Sequence, residues 1–288
     1  MASAMEYLFI IILTAASFAL GLVGSIAGVG GGVLFTPIFL AFTQMNVDVI
    51  RAAGLAVALT TAVISSRNYI RAGITPLKLA LLFGAVASLT AIVGAALGIY
   101  IVKQFGKVGE AYVRIALASV MLLVVVAMFL KRQDYPEPRP NKISEKLGLA
   151  GFYNDPVRGR VAYVPNRIFL SALLMSGVGF IGGMFGLGGG WAIVPILNLV
   201  SRLPLKVAVA TSLTIIAITD APALMVYNIN GALNAYIVAL TAPMVALGAL
   251  VGSKIMIKIK ASVIRYAIIA VMIISAIQLI QRGLAQLS

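Results

Sequence analysis

The chain has 288 residues, 61% of them hydrophobic and only 10% charged, with a mean hydropathy of +1.08. That composition excludes an ordinary soluble domain, which needs a polar skin this chain lacks the residues to make. The net charge of +14 does not mark a nucleic-acid binder, because Lys and Arg fall between apolar runs.

Chain order then follows the charges, prolines and glycines. Nothing ionisable lies between Glu6 and Asp48, between Lys78 and Lys103, or between Arg167 and Arg202. Between Lys206 and Lys254 there is one charge, Asp220. A spanning helix needs roughly 20 apolar residues, and backbone polar groups inside hydrocarbon must be satisfied within their own segment. These cuts predict spans near 6–27, 33–46, 48–70, 76–103, 111–131, 167–187, 191–201, 204–229, 232–257 and 261–282. The second and seventh are short and read as half-helices or re-entrant pieces. Met1 to Glu6 carry no Lys or Arg, so the first span reads as part of the mature protein rather than a signal peptide. The basic stretch 132–166, with Pro136, Pro138 and Pro140, reads as a linker between a first membrane repeat, 1–131, and a second, 167–288.

If that linker is cytoplasmic, the inner regions hold seventeen Lys and Arg residues and the outer ones five, with Arg51, Lys103, Lys107, Arg114 and Arg282 as the outer set. This places both termini outside. The two halves share landmarks. Gly28, Gly30, Gly31 and Gly32 lead to Pro37, and Gly186, Gly188, Gly189 and Gly190 lead to Pro195 at the same spacing. Further on, Gly94 to Gly98 matches Gly248 to Gly252, and Arg114 matches Arg265. Each half has an odd number of crossings, so the second enters from the opposite side. The expected fold is an all-α polytopic membrane protein of two inverted-topology repeats, each with about three to five membrane segments.

Three glycines in a row weaken a helix and permit left-handed backbone. A helix N-terminus is therefore expected near Gly32 and near Gly190, with free N–H groups and the positive end of the dipole, both suited to an anion. Gly94, Gly98, Gly248 and Gly252 read as close-packing positions. Asp220, deep in a span and followed by Pro222, reads as a coupling or site-orienting residue, for protons or sodium. Thr211 and Ser212 join the candidate substrate site, with Thr214 nearby and Thr60, Thr61, Ser65 and Ser66 in the comparable region of the first half. Trp191 either lines the site or wedges helices apart, and Arg67 and Arg71 read as headgroup anchors.

These duplicated Gly-rich motifs, each leading to a Pro, with two halves and a basic linker, resemble the sulfite exporter TauE/SafE family of membrane permeases. The matched positions are the eight glycines named above with Pro37 and Pro195. The resemblance implies a carrier that exports a sulfur-containing or organic anion, such as sulfite, sulfoacetate or a related C2 sulfonate, across the bacterial cytoplasmic (inner) membrane. The halves depart where Gly54-Leu55-Ala56 stands opposite Ala210-Thr211-Ser212, so the second half is expected to supply more polar groups.

A secondary carrier is the leading reading, with a passive anion channel or structural membrane subunit as the alternative. No phosphate-binding loop of the Gly-x-x-x-x-Gly-Lys-Ser/Thr kind is present. An enzyme is not expected, since the chain has no Cys, no His and one deep carboxylate. No cofactor or metal is expected. The expected partners are a small anion and the lipid bilayer, with a homodimer left open.

Overall fold

The computed structural model describes residues 2–129, 134–156, 158–258 and 265–287. Helices dominate, as apolar runs at membrane depth require. In the first half these are α1 (Ala2–Ala27), α2 (Gly32–Phe42), α3 (Val47–Arg71) and α4 (Leu77–Met128). The second half holds α6 (Ile168–Phe185), α7 (Gly190–Pro195), a π-helical stretch over Ile196–Val200, α8 (Leu205–Ile229), α9 (Ala235–Lys258) and α10 (Arg265–Leu287). Five helices among the described residues, α3, α4, α6, α8 and α9, are long and apolar enough to cross a membrane. The protein is an all-α, multi-pass membrane protein. Asn46 starts α3 by accepting hydrogen bonds from the N–H groups of Asp48 and Val49, at 2.8 and 3.4 Å.

Two expected spans, 76–103 and 111–131, fall largely on one element, α4, which breaks at Gly106 (φ 52°, ψ −129°). A side chain at Gly109 would run into the backbone of Ile101 and Val102. Eight residues of straight helix rise about 12 Å, so this contact shows that the chain doubles back at Gly106. The expected loop is a tight turn. The first residues of the tenth expected span lie outside the described residues.

The linker is more than a polar connection. It holds a short helix, α5 (Lys142–Lys146), and an antiparallel hairpin of β1 (Gly151–Asp155) and β2 (Gly159–Tyr163). Five-residue strands in a basic, Pro-containing stretch give little periodic signal, which is why no strand is predicted there. The hairpin is tied to the membrane part through Asp155, whose carboxylate lies 3.2 Å from Lys206 Nζ at the start of α8. Tyr135 donates to Asp155 Oδ1 at 3.2 Å and Tyr153 to Oδ2 at 3.4 Å. Burial, and then the Asp155 charge, push the Tyr153 phenol well above its ordinary value, so it stays a donor. Asp155→Ala is therefore expected to undock the hairpin and speed limited proteolysis within residues 134–167 several-fold, while the transmembrane part stays folded. An unchanged cleavage rate would show that the ion pair does not hold the linker.

The helices of the two halves interlock. Helix α1 packs on α9, α6 packs on α4, and α3 packs on α8 at the centre. Small residues allow this close approach. Gly21 lies against the carbonyl of Val245 and Gly179 against that of Ala87; Gly252 lies against Leu22 and Gly94 against Phe180. Each contact in one half has its counterpart 158 positions along the chain. By packing, then, Gly94 answers Gly252, one helical turn away from the match read in the sequence. Glycines four apart in both stretches allow two registers, and only contacts separate them.

A buried tyrosine pair obeys the same offset. Tyr69 on α3 donates to the carbonyl of Ser25 at 2.9 Å, and Tyr227 on α8 donates to those of Gly183 and Met184, both at 3.0 Å. Tyr69→Phe and Tyr227→Phe are each expected to lower stability by about 1 kcal/mol, read as a small drop in thermal midpoint in detergent.

Candidate substrate site

The site is built where α1 and α6 stop. In each break the first two glycines are left-handed: Gly28 (φ 72°) and Gly30 (φ 71°), then Gly186 (φ 66°) and Gly188 (φ 67°). That is the conformation the glycine runs were expected to permit. Helices α2 and α7 then begin at Gly32 and Gly190, as predicted.

A broken helix at membrane depth must have its freed groups satisfied by protein. The carbonyl side is satisfied. Gly24 O accepts from the N–H groups of Val29 and Gly30, and Gly182 O accepts from that of Leu187. Tyr69 and Tyr227 serve the next carbonyls, as above. Arg51 Nη1 adds a bond to Met184 O at 2.7 Å. Ser212 Oγ donates to Gly28 O at 2.7 Å, and Thr36 Oγ1 to Gly186 O at 2.6 Å. Each of these last two hydroxyls crosses from one half to the other.

The donor side is different. Gly31 and Gly189, the residues just ahead of α2 and α7, have no side chain with which to cap them. Helical bonding starts with Leu34 and Phe35 donating to Gly31 O, and with Ala192 and Ile193 donating to Gly189 O. The N–H groups ahead of them, on Gly31, Gly32, Val33, Gly189, Gly190 and Trp191, have no acceptor within their own helix. The indole Nε1 of Trp191, one residue into α7, is buried without a partner.

The two breaks meet. Gly32 lies against the Leu187 carbonyl and Gly190 against the Val29 backbone. A side chain added at Gly30 or at Gly188 would touch the same atom, Ala58 Cβ. Asp220 closes the cluster. It is 1% exposed, its Oδ2 has no hydrogen-bond partner, and a Cβ on Gly188 would sit 2.7 Å from that oxygen. The position 158 residues earlier is Ala62, so the carboxylate has no twin in the first half. All eight candidate glycines and Asp220 thus share one region.

The hydroxyls divide. Ser212 joins the first break. Thr211 donates to Val207 O of its own helix at 2.6 Å, and Thr214, Thr60 and Thr61 likewise bond back to theirs. Ser65 shares a 2.8 Å hydrogen bond with Ser25, and Ser66 donates to Val63 O. Arg67 and Arg71 are exposed at the end of α3. The register read across the halves also shifts. Gly54 answers Ser212, and a side chain at Gly54 would collide with the Thr36 hydroxyl. One half thus uses Ser212 where the other uses Thr36, so the extra hydroxyl expected of the second half has a counterpart in the first.

Four residues escaped the sequence reading: Thr36, Tyr69, Tyr227 and Arg51. The sequence sets Arg51 among the outer charges, yet it is wholly buried in α3. Its guanidinium pairs with Asp48, donates to Gly98 O at 3.1 Å and lies 5.4 Å from the Tyr227 ring centre. A visible signal was the Asp48–Arg51 spacing, which sets opposite charges one turn apart at the start of an apolar run.

Comparison with known proteins agrees with this architecture. Residues 13–279 match the family model described as "Sulfite exporter TauE/SafE". The chain is also 27% identical, over 281 residues, to "Probable membrane transporter protein YunE" of Bacillus subtilis (strain 168), an alignment covering 95% of this chain and 98% of that one. No solved structure matches it significantly. A match over nearly the whole length makes this chain, with its paired glycine breaks, a member of the sulfite exporter TauE/SafE family of membrane transporters.

Proposed function

We propose that the protein is a secondary carrier that exports a small sulfur-containing or organic anion, of the sulfite, sulfoacetate or C2-sulfonate class, across the inner membrane. The observation that carries this reading is the imbalance at the two breaks. Their carbonyls are occupied by Tyr, Ser, Thr and Arg side chains, whereas the N–H groups opening α2 and α7 have no side-chain cap. Uncapped donors at two helix N-termini favour an oxyanion. The Trp191 indole adds a second kind of donor. The repeated contacts at 158-residue spacing support two repeats of opposite orientation, whose exchange of inner and outer access gives alternating access. The excess of Lys and Arg on one set of loops supports a cytoplasmic linker and outer termini.

Asp220 gives the carrier its coupling. A carboxylate beside an anion site makes the two occupancies depend on each other: a bound anion favours the protonated or cation-bound acid, and the reverse. Purified protein in liposomes preloaded with sulfite should take up labelled sulfite several-fold faster than empty liposomes. An uptake rate indifferent to sulfite on the far side would instead indicate a channel. In Gly189→Ala the added methyl meets side chains alone, the movable tip of Ile193 and a methyl of Val178, and no backbone. This variant is expected to fold and to lose about tenfold in transport, as an altered donor geometry would cause. Wild-type transport by folded Gly189→Ala would remove the second break from the site.

A further inference from the structure

We infer that the protein carries a second anion-binding site, a vestibule at the bundle end where α2 passes into α3 and α10 finishes. A cavity of about 470 Å³ lies there, lined by Gln44, Asn46, Glu110, Arg114, Arg282 and Gln286. This is ample for a sulfur oxyanion with several waters, each of which occupies about 30 Å³ in the liquid.

Its charges are unbalanced. Two guanidiniums face one carboxylate. Glu110 Oε2 stays 3.9 Å from Arg114 Nη2, too far for a hydrogen bond. Arg114 is only 4% exposed, with Nη1 donating to Leu40 O at 2.7 Å and Nε buried without a partner. Arg282 holds its place through one bond, Nη1 to Thr43 O at 2.5 Å, leaving the rest of its fork to the cavity. Asn46 Oδ1 is taken up by capping α3, which leaves its amide NH₂ as a further donor. Two neighbouring cations with unfilled donors are stabilised by an anion between them, and the guanidinium fork suits planar or tetrahedral oxyanions.

The position gives the site its role. Met45 lines this vestibule and also a small apolar void beneath it, walled by Phe35, Phe39, Ile50 and Ala53. Phe35 and Ala53 are the chain neighbours of Thr36 and Gly54, which pack at the second glycine break. The vestibule therefore lies next to the central site along α2 and α3, with Met45 and the stacked Phe35–Phe39 pair, 4.2 Å between ring centres, separating them. On the orientation proposed above, it holds the anion at the outer mouth.

The role in transport rests on the proposed carrier function; the binding itself does not. The test is titration of purified protein with sulfite and with sulfate at low salt, beside transport in liposomes. Arg282→Gln and Arg114→Lys should each weaken anion binding and raise the KM measured from the vestibule side by about tenfold, with a shallower dependence on salt. Arg282→Lys should restore much of both. Gly188→Ala, aimed at the central site, should abolish transport yet keep salt-sensitive, Arg282-dependent binding. If the arginine variants bind and transport like wild type, or if neither anion binds the wild type or Gly188→Ala, the vestibule site is wrong. If sulfate binding depends on Arg282 but no sulfur anion is transported, the vestibule stands and the carrier reading falls.

Discussion

Asp220→Asn is expected to keep exchange of labelled anion between the two sides of a liposome while net, gradient-driven transport falls about a hundredfold or more. An ionised carboxylate near the middle of a membrane helix costs on the order of 2.5–3.5 kcal/mol, and one with no partner keeps that penalty. Asp220 Oδ2 has none, although the surrounding fold satisfies carbonyl after carbonyl a few ångströms away. Asn imitates the neutral acid in shape but cannot release a proton or hold a cation. It should therefore permit the anion-bound carrier to change sides and prevent the coupled step. The measurement is paired: counterflow at equal pH, and uptake driven by a pH or sodium gradient. If gradient-driven uptake matched wild type, coupling would have to lie elsewhere. Loss of both activities in a folded protein would instead make Asp220 a group that orders the breaks.

Gly190→Ala is expected to abolish folding to a recoverable membrane protein, or to lower the thermal midpoint by an amount equivalent to more than about 3 kcal/mol. A methyl at Gly190 would meet the carbonyl oxygen, carbonyl carbon and Cα of Val29 at once, all backbone. No rotamer change relieves that overlap, so one break must be pushed away from the other. Gly32→Ala, against Gly54, Ala58 and Leu187, should behave in the same way. Gly177 on α6 has open space where its side chain would stand. Gly177→Ala is therefore expected to be neutral or slightly stabilising, since Ala is the better helix former. Recovery by gel filtration and thermal unfolding in detergent check all three. Wild-type stability of Gly190→Ala would mean that the breaks do not touch as described.

Much of this protein was legible in one dimension because the bilayer allows few choices. Long charge-free runs can only be helices there, so the limits of α3, α6 and α8, and of α7 taken with the π-helical stretch that continues it, fall within a residue or two of those read from charges and glycines. Three successive glycines cannot continue a helix comfortably, so the starts of α2 and α7 at Gly32 and Gly190 were also visible. Asp220 stood out because a lone charge in such a run is costly.

What the linear sequence could not determine is which atoms meet. It sets Arg51 and Arg114 among the outer charges, because burial of a guanidinium depends on carbonyls supplied by other helices: Gly98, Met184 and Leu40. It matched Gly94 to Gly248, because glycines four apart repeat with the helix turn, and it set Gly54 opposite Ala210 rather than Ser212. It gave no weight to Thr36, Tyr69 and Tyr227, whose hydroxyls matter only once α1 and α6 have broken beside them. By itself the sequence determined the helices, the two breaks and the lone carboxylate, through hydrophobicity and glycine's backbone freedom. Only the tertiary structure brought both breaks and Asp220 into one cluster, because that outcome is set by close packing between residues 32 to 184 positions apart in the chain.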